Sequence, residues 1–219
     1  MITRPGHILI AVLCLCGSQL SAQEEWELKR DRDGIQVYTR SVSGSPYDEV
    51  RAEAVVQGVR LSALVALVMD AEACAEWADR CAESYVIDEL SDTEALVYTH
   101  NDLPFPVKDR DVVSLARWEQ DPETFTVRMV SEAVAGHVEE KSGRQRLTEA
   151  DVSWHFEPLA DGSVRVINQA HINPGSSLPG WVTNMLLVDT PFETMKAFLE
   201  EVRAPHYARA SISFVTEPL

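Results

Sequence analysis

The side chains best suited to acid–base chemistry are five of the six histidines. They are His100, His137, His155, His171 and His206. None has the HExxH spacing of a zinc protease, and the sequence has neither a Gly-x-Ser-x-Gly nucleophile elbow nor a glycine-rich phosphate loop. The pair that suggests catalysis is His100 with Asp102, which His155 could join across a sheet. The sequence favours a non-catalytic protein with no metal and no cofactor, and an enzyme that uses His100 and Asp102 is the alternative hypothesis.

Two other groups could carry chemistry or fix the structure. Arg110 lies between Asp109 and Asp111, and we interpret it as a structural ion-pair partner at the start of a strand. Cys74 and Cys81 are too far apart for a disulfide along one unbroken helix, because seven residues rise about 10.5 Å. A disulfide therefore requires a break in the helix, and two buried thiols are the other outcome.

The charge of the chain limits its partners. It has 19 Lys and Arg against 35 Asp and Glu, which gives a formal net charge of −16. Such a surface repels phosphate backbones, so we predict no nucleic-acid binding. It also opposes docking on anionic membranes, and it keeps the protein soluble.

The first 22 residues have the layout of a secretory signal. Arg4 and His7 begin it, Ile8 to Cys16 is apolar, and Gly17 to Ala22 is mostly small. The apolar run is too short to span a bilayer as a stable helix. We therefore expect export to the periplasm or outside the cell after removal of residues 1–22, with a buried N-terminal helix as the alternative. Residues 23–205 then form one domain, followed by a tail over 206–219.

The elements that must position these side chains follow from periodicity and turns. Asp33-Gly34 is a turn before the predicted strands Ile35–Arg40 and Asp48–Gln57, and Leu61–Met69 and Ala75–Asp79 are predicted helices. From residue 85 the period becomes two, which predicts an antiparallel meander. Its strands are Tyr85–Leu90, Ala95–Asn101, Val112–Trp118, Phe125–Ser131, Val138–Glu140, Leu147–Phe156 and Val164–Ile172.

A long amphipathic helix ends the domain. It starts near Pro179, and Pro191 should kink it. Its apolar stripe consists of Trp181, Met185, Val188, Phe192, Met195, Leu199 and Val202. Together the elements predict an α+β fold, in which a curved antiparallel sheet wraps around this C-terminal helix.

The apolar side chains that face this helix could line a cavity. Small residues leave room, and methionines suit a wall that fits a flexible chain. Asn101 and Asn168 could contact a ligand head group, or each could bond to the backbone. An ordinary filled core is the alternative. The candidate ligand-cavity residues are Asn101, Ala116, Phe125, Val127, Met129, Asn168, Ala170, Ile172, Met185, Val188, Phe192 and Met195.

Six segments in this order resemble the START (steroidogenic-acute-regulatory-related lipid-transfer) domain family, over about residues 26–203. They are Trp26, the Asp33–Tyr38 segment, Glu76-Trp77, Pro104–Asp111, Asn173–Gly175 and Leu178–Asn184. The resemblance implies a START/Bet v1-like helix-grip fold that binds and transfers one lipid or sterol-like molecule, with transient membrane contact. Its sterol-anchoring Glu–Arg pair falls at Asn101 and Ala116, which are uncharged, so a purely sterol ligand is not expected. The sequence gives no signal of oligomeric state.

Overall fold

The computed structural model describes residues 25–218, and the predicted secretory signal lies outside them. No helix within these residues is long and apolar enough to cross a membrane. The strands are β1 Glu27–Arg32, β2 Ile35–Arg40, β3 Glu49–Val56, β4 Cys81–Ser91, β5 Glu94–Asn101, β6 Asp109–Gln120, β7 Val127–Ala133, β8 Arg144–Arg146, β9 Ala150–Pro158 and β10 Val164–Ile172. The α-helices are α1 Leu61–Met69, α2 Cys74–Trp77, α3 Gly180–Asn184, α4 Thr190–Glu201 and α5 Pro205–Ala208.

The strands form one sheet in the order β1-β2-β3-β10-β9-β7-β6-β5-β4. Neighbours along this path are antiparallel, as the hairpin turns predicted, and β8 pairs with β6 in parallel. The predicted strand Val138–Glu140 is wrong, because the short strand lies at Arg144–Arg146 instead. Arg146 explains the difference: it donates to the carbonyl oxygens of Val138 and Glu139, which places that segment in a loop across the sheet.

Residues directly opposite each other in antiparallel strands share a face of the sheet, so the registers define two rows on its concave side. The first, which we call the aromatic row, is Val37, Ala52, Asn168, Trp154, Met129 and Trp118. The second, the small row, is Thr39, Val50, Ala170, Val152, Ser131, Ala116 and Ala95. The two rows run side by side across most of the sheet.

The concave side of the sheet is occupied by the C-terminal helix (Gly180–Glu201), whose last part is α4. Phe198 of α4 is fully buried, and its ring centroid lies 4.6 Å from that of Trp154 and 5.4 Å from that of Trp77. Burying one such side chain contributes roughly 1.5–3 kcal/mol to stability. This aromatic contact fixes the helix against the aromatic row.

The C-terminal helix is not uniform. Met185–Asp189 between α3 and α4 is π-helical, and the Thr190 N–H bonds to the Met185 carbonyl five residues back. Pro191 follows this segment, so the irregularity lies where the proline predicted a kink. A π-helical turn contains more residues than an α-helical turn, and it therefore rotates α3 about the helix axis relative to α4. In α3, Val182 is fully buried and Trp181 is 56% exposed. The placement of Trp181 on the apolar stripe was therefore wrong.

Side chains hold the C-terminal helix on both of its flanks. Arg30 of the edge strand β1 bonds to the Asp189 carboxylate at 2.5 Å. On the other flank, Thr190 Oγ1 donates to Asp79 at 2.8 Å and the Asp79 N–H donates to Thr194 Oγ1. Asp79 leads into β4, the opposite edge strand. The helix thus bridges the two edges of the sheet, which confirms the predicted helix-grip architecture.

Cys74 and Cys81 form a disulfide, with a distance of 6.0 Å between their Cα atoms. Helix α2 ends at Trp77, and Arg80 has a φ of 68° before β4 begins. This turn is the break in the helix that a Cys74–Cys81 bond requires. It attaches α2 to the edge strand beside the C-terminal helix.

Candidate functional site

Part of the small row keeps accessible surface beside a packed core. Met129 and Trp154 of the aromatic row are 6% and 5% exposed, and Thr39 and Val50 of the small row are buried as well. Ala116, Ser131 and Val152 are only half-buried, although they face the same side of the sheet as the C-terminal helix, and Ala116 also packs against the hydrophobic core. A ligand cavity along this row stays a prediction, which rests on the surface that these three short side chains keep.

The structure divides the twelve predicted cavity residues into three groups. Four lie in the packed core: Val127, Met129, Phe192 and Met195. Seven are half-buried: Asn101, Ala116, Phe125, Asn168, Ala170, Met185 and Val188. Ile172 is 36% exposed at the end of β10. Contact of any of them with a ligand stays a prediction.

Sequence reasoning missed five of the seven members of the small row, which are Thr39, Val50, Ala95, Ser131 and Val152. Ser131 lies two residues from Met129, a predicted cavity residue, and Val152 lies two residues from Trp154 in the predicted strand Leu147–Phe156, so each shares a face of its strand with that residue. The alternation in β7 and β9 could have identified both. Ser131 and Val152 have small or β-branched side chains, and such side chains are weak signals of a core face because core positions are predicted mainly from large apolar residues.

Asn168 is the polar residue of the aromatic row. Its amide nitrogen donates to the Ser153 carbonyl at 3.1 Å. That contact uses one of the four hydrogen bonds that an amide side chain can make. Asn101 lies at the end of β5, paired in register with Arg110. Both amides are half-buried, as a contact with a ligand head group requires.

The proposed acid–base pair of His100 and Asp102 is wrong. His100 is 8% exposed, and its Nε2 lies 3.0 Å from Asp109 Oδ2. Burial raises the pKa of Asp109, but hydrogen bonds from Leu103 and His100 outweigh it and lower the pKa overall. Asp102 is exposed just beyond the end of β5, where it is not opposite His100.

His100 also points away from the concave side, because it alternates with Thr99 and Asn101 along β5. His155 is on β9, three strands from β5 in the sheet, which is about 14 Å at the usual strand spacing. Burial and the charge of Arg128 lower the pKa of His155. These histidines do not assemble into one catalytic group.

A buried polar cluster covers the convex side of β5 and β6. Asp111 is 1% exposed, accepts two bonds from Arg146 at 2.9 and 3.1 Å, and accepts one from the Tyr98 hydroxyl. Burial raises the pKa of Asp111, but these bonds outweigh it and lower the pKa overall. Arg144 donates to the Tyr98 oxygen and to Glu83. Every partner lies within the fold, so the cluster fixes the loop before β8.

Arg110 has the structural role that its position suggested, but with different partners. It donates to the carbonyl oxygens of Pro174 (2.9 Å) and Lys108, and to the Ser176 hydroxyl (3.1 Å). Burial lowers its pKa, and the charge of Asp109 opposes the shift. Arg110 thus joins the β5–β6 loop to the loop before α3.

Exposed aromatic side chains mark the end of the molecule that Arg110 organises. Phe105 of the β5–β6 loop is 94% exposed, and Trp181 at the start of α3 is 56% exposed. Phe105 belongs to one of the two loops that Arg110 connects, and Trp181 follows the other loop at the start of α3, which places both toward this end. We call this end the aromatic tip.

One cavity borders the start of the C-terminal helix, and another borders the end of the sheet where β6 turns into β7. The first, of about 330 Å³, is lined by Lys29, Thr39, Asp48, Gly180, Thr183, Asn184, Leu187 and Val188. The second, of about 260 Å³, is lined by Thr93, Glu119, Gln120, Pro122, Phe125, Phe214 and Thr216. Val188 and Phe125 are thus the predicted residues that border them. Across residues 25–218, no three His, Cys, Asp or Glu side chains group as a metal site would require.

Comparison with known proteins relates the chain to one family. The sequence profile described as START domain matches residues 15–206. An uncharacterized protein of Pseudomonas aeruginosa is 30% identical over 195 residues, which cover 89% of this chain and 94% of that protein. The human phosphatidylcholine transfer protein is 24% identical over 166 residues, covering 74% and 77%.

A solved structure agrees with these matches. The STAR-related lipid transfer protein of Xanthomonas axonopodis superposes with a TM-score of 0.73 and 34% sequence identity, covering 81% of this chain and 98% of the solved fragment. Human STARD10 superposes with a TM-score of 0.72 at 20% identity, which supports the fold alone.

Proposed function

Because the chain belongs to the START domain family, we propose that it binds and transfers a single lipid or other hydrophobic small molecule between the concave side of the sheet and the C-terminal helix. The relative from Xanthomonas axonopodis is described as a lipid transfer protein, and the human relative as a phosphatidylcholine transfer protein. Sequestration in the interior is the whole mechanism, and no covalent step is required.

The observation that carries this proposal is the half-buried small row. Ala116, Ser131 and Val152 leave free surface where larger side chains would fill the fold. An acyl chain placed there would gain roughly 0.8 kcal/mol for each methylene removed from water. About a dozen methylenes would therefore support micromolar or tighter binding after the cost of ordering the ligand.

The C-terminal helix would act as the lid. Its π-helical segment, Met185–Asp189, ends at the first flank anchor, the Arg30–Asp189 pair, and the contacts of Asp79 with Thr190 and Thr194 follow directly in α4. A π-turn marks a point where a helix bends at low cost. Loosening one anchor would let the part before α4 move away from the sheet.

Transfer would involve brief contact with a membrane through the aromatic tip. Phe105 and Trp181 present large rings to solvent at one end of the molecule, and such rings favour the membrane–water interface. The net charge of −16 opposes approach to anionic lipids. We therefore expect contact with zwitterionic bilayers.

We also propose that the protein works after export. Residues 1–22 have the layout of a secretory signal, and the Cys74–Cys81 disulfide is a bond that persists in the periplasm or outside the cell.

Lipid uptake tests the proposal directly. The mature chain is incubated with phosphatidylcholine vesicles that contain a nitrobenzoxadiazole-labelled phosphatidylcholine, and native mass spectrometry counts the lipids bound to each protein. One bound lipid per chain is expected. A chain that takes up no lipid from vesicles and carries none after purification would refute the proposal.

Release kinetics test the lid. Asp189→Asn weakens the bond to Arg30, so the labelled lipid should leave faster, by about threefold to tenfold, the factor for losing roughly 1 kcal/mol. Glu193→Gln, the same kind of change at an exposed position of α4, is the matched control. Equal release rates in the two variants would exclude the anchor from ligand exchange.

A further inference from the structure

The C-terminal segment Ala210–Pro218, which we call the strap, is an attached part of the domain. It lies beyond residue 206, where the family match ends, and sequence reasoning treated it as a tail. Ile212, Phe214 and Val215 of the strap are half-buried and pack against the hydrophobic core. The strap therefore has a defined place in the fold.

Polar contacts fix both ends of the strap. Arg60 donates to the Ala210 carbonyl at 3.1 Å. Thr216 makes two backbone bonds to the Gln120 side chain, at 2.7 and 2.8 Å. Because Gln120 ends β6, these bonds attach the strap to the far end of the sheet.

Glu217 completes helix α1. The position before the helix, Arg60, provides no side-chain cap. Instead the two oxygens of Glu217 accept bonds from the N–H groups of Leu61 and Ser62, each at 2.9 Å, and Arg60 lies 3.3 Å away. These N–H groups have no partner within a helix, so α1 and the strap stabilise each other.

The strap covers one end of the concave side. Phe214 packs on Trp118, with ring centroids 6.2 Å apart, and Trp118 ends the aromatic row. Gln120 lies one step further along the same face, directly opposite the fully buried Val127. The cavity of about 260 Å³ lies beside the strap and is lined by Phe214 and Thr216 of the strap and by Phe125. The side chains of the strap thus separate this end of the core from solvent.

We propose that the strap is a second gate, which plugs the end of the interior opposite the aromatic tip and admits small apolar molecules when Glu217 detaches from α1. This inference rests on the proposed function, because it gives the lipid-binding interior a second entrance. The C-terminal helix and the strap would then control different openings of one cavity.

Thiol labelling tests the gate without any lipid. Val127→Cys introduces a single reduced cysteine below the strap in the mature chain, since Cys74 and Cys81 are joined. Its rate of reaction with N-ethylmaleimide is compared in three backgrounds: unchanged, Glu217→Gln, and Glu72→Gln, the same change at an exposed glutamate between α1 and α2. Labelling should accelerate about fivefold in Glu217→Gln, the factor for losing about 1 kcal/mol of capping, and stay unchanged in Glu72→Gln.

A chain that carries Val127→Cys and ends at Arg209 provides a stronger version of the test. If it folds, labelling of the introduced thiol should exceed that in Glu217→Gln, and an unchanged rate would overturn the proposal. If it does not fold, the comparison of Glu217→Gln with Glu72→Gln decides, and equal rates there overturn the gate. Uptake of labelled phosphatidylcholine is measured separately, so loss of lipid binding with accelerated labelling would refute the proposed function and leave the gate standing.

Discussion

Replacing a small-row alanine by leucine distinguishes an unfilled cavity from a packed core. Ala116 is half-buried in the small row, whereas Ala52 in the aromatic row is 1% exposed. Both alanines lie on the concave side, in strands of one sheet, so the same substitution is made in matched settings. The two sites differ in whether space exists for three more carbon atoms.

The expected changes have opposite signs. In a filled core, overpacking costs about 1–3 kcal/mol, so Ala52→Leu should destabilise the protein by that amount. In free space, three added carbons gain up to about 2 kcal/mol from burial. Ala116→Leu should therefore leave the free energy of unfolding unchanged or raise it, while occupying the space that the lipid needs.

Urea unfolding of both variants measures the stability, and vesicle uptake of labelled phosphatidylcholine measures the binding. Ala116→Leu should keep its stability and lose at least about tenfold in affinity, the factor for roughly two methylenes excluded from the site. If Ala116→Leu destabilises the protein as much as Ala52→Leu, the small row is already filled, and the reasoning from its exposed surface is refuted.

Three further predictions concern stability. Burial raises the pKa of Glu217, but the hydrogen bonds from Ser62 and Leu61 and the charge of Arg60 outweigh it and lower the pKa overall. The stability that Glu217 gives the fold is therefore present above its ordinary pKa near 4.5 and is lost as the pH falls through the lowered value. Glu217→Gln should cost about 1 kcal/mol at pH 7, and thermal unfolding should show the difference from the unchanged protein disappearing in acid. Cys74→Ser with Cys81→Ser removes a short covalent loop, so urea unfolding should show a loss of about 2 kcal/mol, and a dithiothreitol-treated protein that unfolds at the same urea concentration as the untreated one would contradict this. Asp111→Asn leaves the buried Arg146 without its carboxylate, which should cost about 3–5 kcal/mol, whereas Asp88→Asn on the exposed part of β4 should change the unfolding midpoint little.

Most of the architecture followed from periodicity. Alternation identified β2, β10 and the meander, and the spacing of Leu61–Met69 predicted α1 as the structure has it. These elements can be predicted from short stretches of sequence, because their hydrophobic pattern follows directly from which side chains must be buried. The position of β8 was missed because the ion pair of Arg146 with Asp111 and the hydrogen bond of Arg144 to Tyr98 determine it, and such contacts join residues distant in sequence.

The candidate site was less predictable for a similar reason. The twelve residues were chosen by strand face or by position on the apolar stripe of the helix, and eleven of them are buried or half-buried. Which face positions stay open depends on where the C-terminal helix lies and on the π-helical segment, which displaced Trp181 from the stripe. The partner of His100 depended on the path of the β5–β6 loop, which brought Asp109 rather than Asp102 within hydrogen-bond distance of its ring. Pro191 signals the irregularity of the C-terminal helix, but neither the position of that helix on the sheet nor the path of the β5–β6 loop has a local sequence signal.

The pairing of β3 with β10 has a consequence for how the chain matures. These neighbours in the sheet are separated by more than a hundred residues of sequence, and contacts of such high order slow folding because a long loop must close first. Strand β10 lies between β3 and β9, so the two parts of the sheet cannot join until β10 has been synthesised. A polypeptide with this topology therefore keeps the two parts of its sheet apart until its synthesis is nearly complete.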